Sequence, residues 1–135
     1  MGQSPNSNTT TRGIRVEAAA QFVPERSDPD RPHHFYAYKI RITNEGDQTV
    51  QLMRRRWEIR DAGNNTETVS GDGVVGYQPT FEPGMSFEYT SYCPLKTEWG
   101  TMEGCYTFER EDGERFDVAI GRFFLVPSAK DAGVL

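Results

Sequence analysis

Apolar residues recur at every second position along most of this chain, a period that fits strands and leaves no room for amphipathic helices. Ile14, Val16, Ala18, Ala20 and Phe22 share one side of an extended segment, with Arg15, Glu17 and Gln21 opposite. Tyr36, Tyr38, Ile40 and Ile42 repeat the pattern against Ala37, Lys39 and Arg41. Met85, Phe87, Tyr89 and Ser91 do so again, and residues 105–108, 116–120 and 123–126 complete the set. Turn signals separate the runs. Pro24, Pro29 and Pro32 break the first from the second, because proline lacks a ladder donor. Asn44-Glu45-Gly46-Asp47 and Asp61-Ala62-Gly63-Asn64-Asn65 turn the chain. Glu82-Pro83-Gly84 fits a type II turn, and Asp112-Gly113 favours a tight primed hairpin turn. In the third run Val50 and Leu52 face inward, yet Trp57 and Ile59 continue on the other parity. One extra residue across 53–56 predicts a β-bulge there.

Seven or eight short strands with frequent turns predict an antiparallel β-sandwich of the immunoglobulin or fibronectin type III kind. A small closed barrel is the rival architecture, and apolar faces on both early and late strands favour two packed sheets. At 135 residues the chain makes one domain that hides roughly two-thirds of its unfolded surface. Eight Phe, six Tyr and two Trp exclude a wholly disordered chain. Residues 1–12 hold no apolar residue after Met1 and read as a flexible tail, residues 13–127 as the domain, and 128–135 as a short second tail.

Fifteen Lys and Arg against twenty Asp and Glu give a net charge of −5, which argues against a general nucleic-acid coat. No apolar run is long enough to span a membrane, and the start has neither a basic region nor an apolar one, so the expected location is the cytoplasm. Cys93 and Cys105 then read as reduced thiols. A disulfide is the alternative, the two lying on neighbouring predicted strands. His33 and His34 could join them in a zinc site only on paper, since adjacent residues of an extended chain point to opposite faces. Ser91 has no histidine near it in the pattern, and neither cysteine has an activating base, so no enzyme and no cofactor are expected.

Gly71-Asp72-Gly73-Val74-Val75-Gly76 spells G-x-G-x-x-G, but Tyr77-Gln78-Pro79 follows where a dinucleotide site needs a helix. What survives is a loop in which Gly71, Gly73 and Gly76 free the backbone for tight turns, or for cradling an anion. Arg55 and Arg56, in the run Arg54-Arg55-Arg56, are the matching candidates for a nucleotide or pyrophosphate, or else pair with surface carboxylates. Trp99, in the loop Leu95-Lys96-Thr97-Glu98-Trp99-Gly100, is the candidate anchor for a protein partner, with Tyr77 and Tyr92 beside it in that role.

Arg55-Arg56-Trp57, then Gly71-Asp72-Gly73-Val74-Val75-Gly76-Tyr77-Gln78-Pro79, Pro83-Gly84, Phe87-Glu88-Tyr89-Thr90-Ser91 and Gly100-Thr101-Met102-Glu103-Gly104-Cys105-Tyr106 resemble the ApaG family, also called the CorD domain. The resemblance runs over about residues 14–126. It implies a fibronectin type III or immunoglobulin-like sandwich, found as small bacterial proteins and as a domain of eukaryotic F-box and DNA-polymerase-interacting proteins. It also implies a link to cobalt resistance and magnesium efflux, and a gene that neighbours a diadenosine tetraphosphate hydrolase. Reuse of the domain in adaptor-like proteins implies protein interaction rather than catalysis. Four positions depart from the family pattern: Arg56 stands where a His is usual, Tyr77 for Glu, Tyr92 for Gly and Gly121 for Pro.

Overall fold

The computed structural model describes residues 6–28, 30 and 33–127. Nine strands run in chain order: β1 (Ser7–Thr11), β2 (Ile14–Phe22), β3 (His34–Asn44), β4 (Val50–Asp61), β5 (Thr66–Asp72), β6 (Thr80–Phe81), β7 (Ser86–Leu95), β8 (Gly100–Arg110) and β9 (Arg115–Leu125). A single 3₁₀ turn, Pro24–Arg26, follows β2. The strands form two antiparallel sheets. One has the order β1-β2-β3-β7, the other β5-β4-β8-β9 with β6 paired to the start of β4. This is the sandwich that the alternation predicts, and not a barrel.

The core lies between the sheets. Val16, Tyr36, Ile40, Ile42 and Leu95 meet Leu52, Trp57, Tyr106, Phe108, Val118 and Phe123, all buried. Trp57 sits at the centre, edge-on to Tyr38 at 5.4 Å, Phe123 at 5.9 Å and Tyr106 at 6.4 Å. Such contacts add to what area burial alone supplies.

Several predicted details change. Residues 7–11 are not a free tail: β1 pairs along its whole length with β2, Thr9 opposite Val16. Residues 1–5 and 128–135 lie outside the described residues. The run at 105–108 starts earlier, at Gly100, and the runs at 116–120 and 123–126 are one strand. That strand changes parity where its register against β8 shifts between Met102 and Gly104. The predicted bulge on β4 is present, with the register shifting between Leu52 and Arg54. At the β8–β9 turn only Gly113 has positive φ, so the turn is not primed. Gly113 donates to Arg110 and Arg110 to Glu114, closing a three-residue loop with glycine at the left-handed position. Cys93 and Cys105 lie in different sheets and are both free thiols, so the neighbouring strands that a disulfide required do not exist.

One buried polar residue ties the sheets together at a corner. The Asn44 Nδ2 amide donates to the carbonyls of Gln48 (2.8 Å) and Phe81 (3.1 Å), and its Oδ1 accepts from Gly46 N–H (3.0 Å). Its backbone N–H donates to Met85 and its carbonyl accepts from Gly84. Asn44→Ala would strand these partners in a dry corner, so denaturant unfolding should report a loss of about 2–4 kcal/mol. A loss under about 0.5 kcal/mol would show the corner held by packing alone.

Candidate functional site

The β4 bulge decides which arginine goes where. Beyond Met53 the parity of the strand flips, so Arg55 turns inward alongside Trp57, while Arg54 and Arg56 project from the outer face. Directly opposite Arg55 on β5 stands Gly71. A Cβ there would lie 2.8 Å from the Arg55 Nη2, so the guanidinium passes over Gly71 because that residue has no side chain. It ends by donating from Nη1 to the carbonyls of Asp72 and Gly73, both at 2.9 Å. Arg54 pairs with the Asp72 carboxylate at 3.0 Å, and Arg56 makes no ion pair or hydrogen bond among the described residues.

The glycine loop is folded on itself. Gly73 N–H donates to Met53, and Val74 and Tyr77 exchange N–H and carbonyl bonds at 2.8 Å each way. Between them Val75 (φ +43°) and Gly76 (φ +86°) both carry positive φ, as a primed two-residue turn requires. Gly76 meets that demand without cost; Val75, β-branched, does not. The turn exposes Val75 at 49 % and Tyr77 at 63 %. Phe87 packs edge-on to the Tyr77 ring at 6.4 Å. Met85 is exposed on the β6–β7 turn, where its sulfur accepts from Glu82 N–H at 3.3 Å.

The predicted site residues do not converge. Arg55 and Arg56 stand on opposite faces of one sheet and cannot grip one anion. Arg55 is turned to the loop's carbonyls, and the amides of Gly73, Val74 and Tyr77 are bonded within the protein, which leaves little of an anion cradle at Gly71, Gly73 and Gly76. Tyr92 lies on the outer face of the other sheet, stacked on Phe35 at 5.5 Å with the Arg26 guanidinium 4.0 Å above the Phe35 ring. Trp99 is exposed at the far end. Its loop is clamped there by the Thr97 hydroxyl, which accepts from Ala62 N–H and donates to the Trp99 carbonyl. From Asp61, beside Gly100, to Arg55 is six residues of β4, roughly 20 Å. Trp99 and the glycine loop are therefore two surfaces. Val75 and Met85 were not singled out from the sequence. The apolar pair Val74-Val75 inside a glycine run is the signal that points to such a display.

Behind Arg55 the core carries phenols. The Tyr89 and Tyr106 hydroxyls hydrogen-bond at 2.5 Å. Burial raises both pKa values above the ordinary 10.0, with Arg55 pulling the other way. Burial also pushes the Cys93 thiol up to about 12, with Glu67 adding to the shift. Cys105 is raised more mildly, by burial and then Asp117, against Arg56. Among the described residues no three His, Cys, Asp or Glu side chains are placed to hold a metal ion.

Two sheets, nine antiparallel strands and a buried central tryptophan place the chain among the immunoglobulin and fibronectin type III-like sandwiches. The sequence profile of the ApaG domain matches residues 24–110. Protein ApaG of Anaeromyxobacter dehalogenans is 50% identical over 120 residues, 89% of this chain and 94% of that protein. Protein ApaG of Bdellovibrio bacteriovorus is 48% identical over 118 residues, 87% and 93% of the two chains. A crystal structure of the ApaA protein of Bordetella pertussis superposes with a TM-score of 0.82 at 42% identity, covering 93% of this chain and 97% of that one. The chain belongs to the ApaG family.

Two outcomes follow from this geometry. Arg55→Lys is one bond shorter, so its ammonium falls short of the two carbonyls that Nη1 reaches across Gly71; amide exchange at 73–77 should quicken and stability fall by about 1–3 kcal/mol. Unchanged exchange would show that the loop holds itself. On the alkaline side, Cys93, Tyr89 and Tyr106 are acids whose folded pKa values exceed their unfolded ones. Stability is therefore intact below about pH 9 and is lost as pH rises from there through about 12. Cys93→Ala should flatten the first part of that fall in urea titrations, and an identical profile would assign it to Cys105 and the tyrosines.

Proposed function

We propose that this ApaG-family chain is a non-enzymatic module of the cytoplasm that works by binding a protein partner, through the corner formed by Val75 and Tyr77. The observation that carries this reading is Val75 itself. A β-branched residue held at φ +43° costs of order 1–3 kcal/mol, and here the strained turn presents an apolar side chain to solvent beside an exposed tyrosine. The same turn seats Val74 in the core and turns Val75 out to solvent. An apolar and aromatic patch on a rigid turn is what a protein partner can desolvate. The family link to cobalt resistance and magnesium efflux then acts through the partner, and not through an ion held by this chain. Trp99 and Tyr92 are secondary contacts in this reading, because they lie on other faces.

The test uses immobilised full-length protein, with partner capture from cell lysate read by mass spectrometry. Tyr77→Ala should cut capture of one specific protein by tenfold or more, as loss of a central tyrosine costs about 2 kcal/mol. Val75→Asn makes the primed turn Asn-Gly and should raise stability by about 1 kcal/mol, yet still weaken capture. Trp99→Ala should change capture little. Full capture by both corner variants would sink the reading.

A further inference from the structure

Hydrogen-bond accounting separates the two flanks of the sandwich. On β9, Arg110 N–H bonds Glu114, which fixes the alternation and turns the N–H and carbonyl of Ala119 outward. Both are met by β1: Thr9 Oγ1 donates to the Ala119 carbonyl at 3.0 Å, and Thr11 Oγ1 accepts from its N–H at 3.3 Å. β1 therefore closes that flank at Ala119.

The opposite flank has no such cover. Asp61 N–H bonds Asn65 and Gly73 N–H bonds Met53, so on β5 the residues 67, 69 and 71 face β4 while Thr66, Thr68, Ser70 and Asp72 direct their backbone groups outward. Arg55 takes the Asp72 carbonyl and closes that end of the edge. The N–H and carbonyl groups of Thr66, Thr68 and Ser70 keep no partner off the β4 ladder among the described residues. Every residue from 66 to 70 is exposed, and the strand carries no Pro, Lys or bulge to blunt it. The free edge of β7, by contrast, holds Pro94 and the Lys39-paired Glu88. Beside β5 lies a groove of about 660 Å³ whose lining includes Ile59, Leu95 and Pro94, with Glu67 and Asp61 on the β5 side and Lys96 and His33 opposite. Asp61 is satisfied by Asn65, whereas Glu67 has no ion pair or hydrogen bond among the described residues.

We propose that the free edge of β5 takes an extended segment of a partner protein as an added antiparallel strand. The segment sets an apolar side chain opposite Val69 and, two residues later, a Lys or Arg opposite Glu67. Backbone pairing at Thr66, Thr68 and Ser70 supplies register, and the alternate side chains that face the groove supply selectivity. Arg55 at one end and the β4–β5 turn at the other limit the added strand to about five residues. The proposal rests on the reading of the chain as a protein-binding module and gives that module a second contact of defined chemistry.

A displayed library of linear heptapeptides selected on the full chain tests it. Enriched peptides should share an apolar residue two positions before a Lys or Arg, and should shift the amides of 66–70 in a heteronuclear NMR titration. Thr68→Pro removes a central donor and should weaken them about tenfold or more. Glu67→Lys, an exposed change that leaves the backbone alone, should redirect selection to Asp or Glu at the second position. Enriched peptides that bind both variants unchanged and shift Val75 and Tyr77 instead would overturn the edge while leaving the corner reading standing. A library with no enrichment overturns the edge alone, since partner capture through Tyr77 is measured separately. A dimer in sedimentation that Thr68→Pro abolishes would give the edge to a second copy of this chain and overturn the proposal.

Discussion

One additional residue at Met53 governs one side of this sandwich. Without the bulge, the parity set by Val50 and Leu52 would carry Arg54 and Arg56 into the core and put Trp57 in solvent. With it, Trp57 reaches the centre of the aromatic packing and Arg55 is the one inward guanidinium of the Arg run. A cation at the margin of an apolar interior must find partners. It finds them by crossing the bare backbone of Gly71 to two carbonyls beyond. The loop that follows is therefore anchored twice, by that guanidinium and by the Met53 carbonyl, and its strained tip stands on a rigid base.

The flanks of the molecule solve the same problem differently. Hydroxyl side chains of β1 satisfy the outward backbone of Ala119 on β9. On the far side, β5 ends against Arg55 but is otherwise uncovered. A sandwich with one closed and one open flank keeps its core while leaving a strand's worth of unused backbone pairing.

Much of this was legible in the sequence because period two leaves few choices. The alternations at 14–22, 36–42 and 85–91 became strands, and the parity break at 53–56 became a bulge. β1 was not legible, since Ser7, Thr9 and Thr11 enter the structure through ladder and hydroxyl bonds and show no apolar pattern. Strand order was not legible either. Cys93 and Cys105 are close in sequence and on consecutive long strands, yet the chain changes sheets between them at the β7–β8 turn. The bulge was legible but the arginine it turns inward was not, since the run reads as a pair of Arg55 and Arg56; nor were the partners of Arg55, because Gly71 meets it only through the pairing of β4 with β5. The glycine pattern itself was ambiguous: the same residues that suit a cradle for anions also suit a primed turn, and the turn at Val75 and Gly76 is what the backbone forms.

The span that matches the ApaG profile, 24–110, contains Arg55, the glycine loop and the β5 edge, but stops short of the sealed flank. It omits β1, β2 and β9, and with them Ile14, Val16, Val118, Ile120 and Phe123. What is shared most recognisably is thus not a unit that can fold by itself. Excising this domain for transplantation means cutting outside β1 and after Leu125, since a narrower graft would carry the glycine loop and the β5 edge without the scaffold that keeps them in shape.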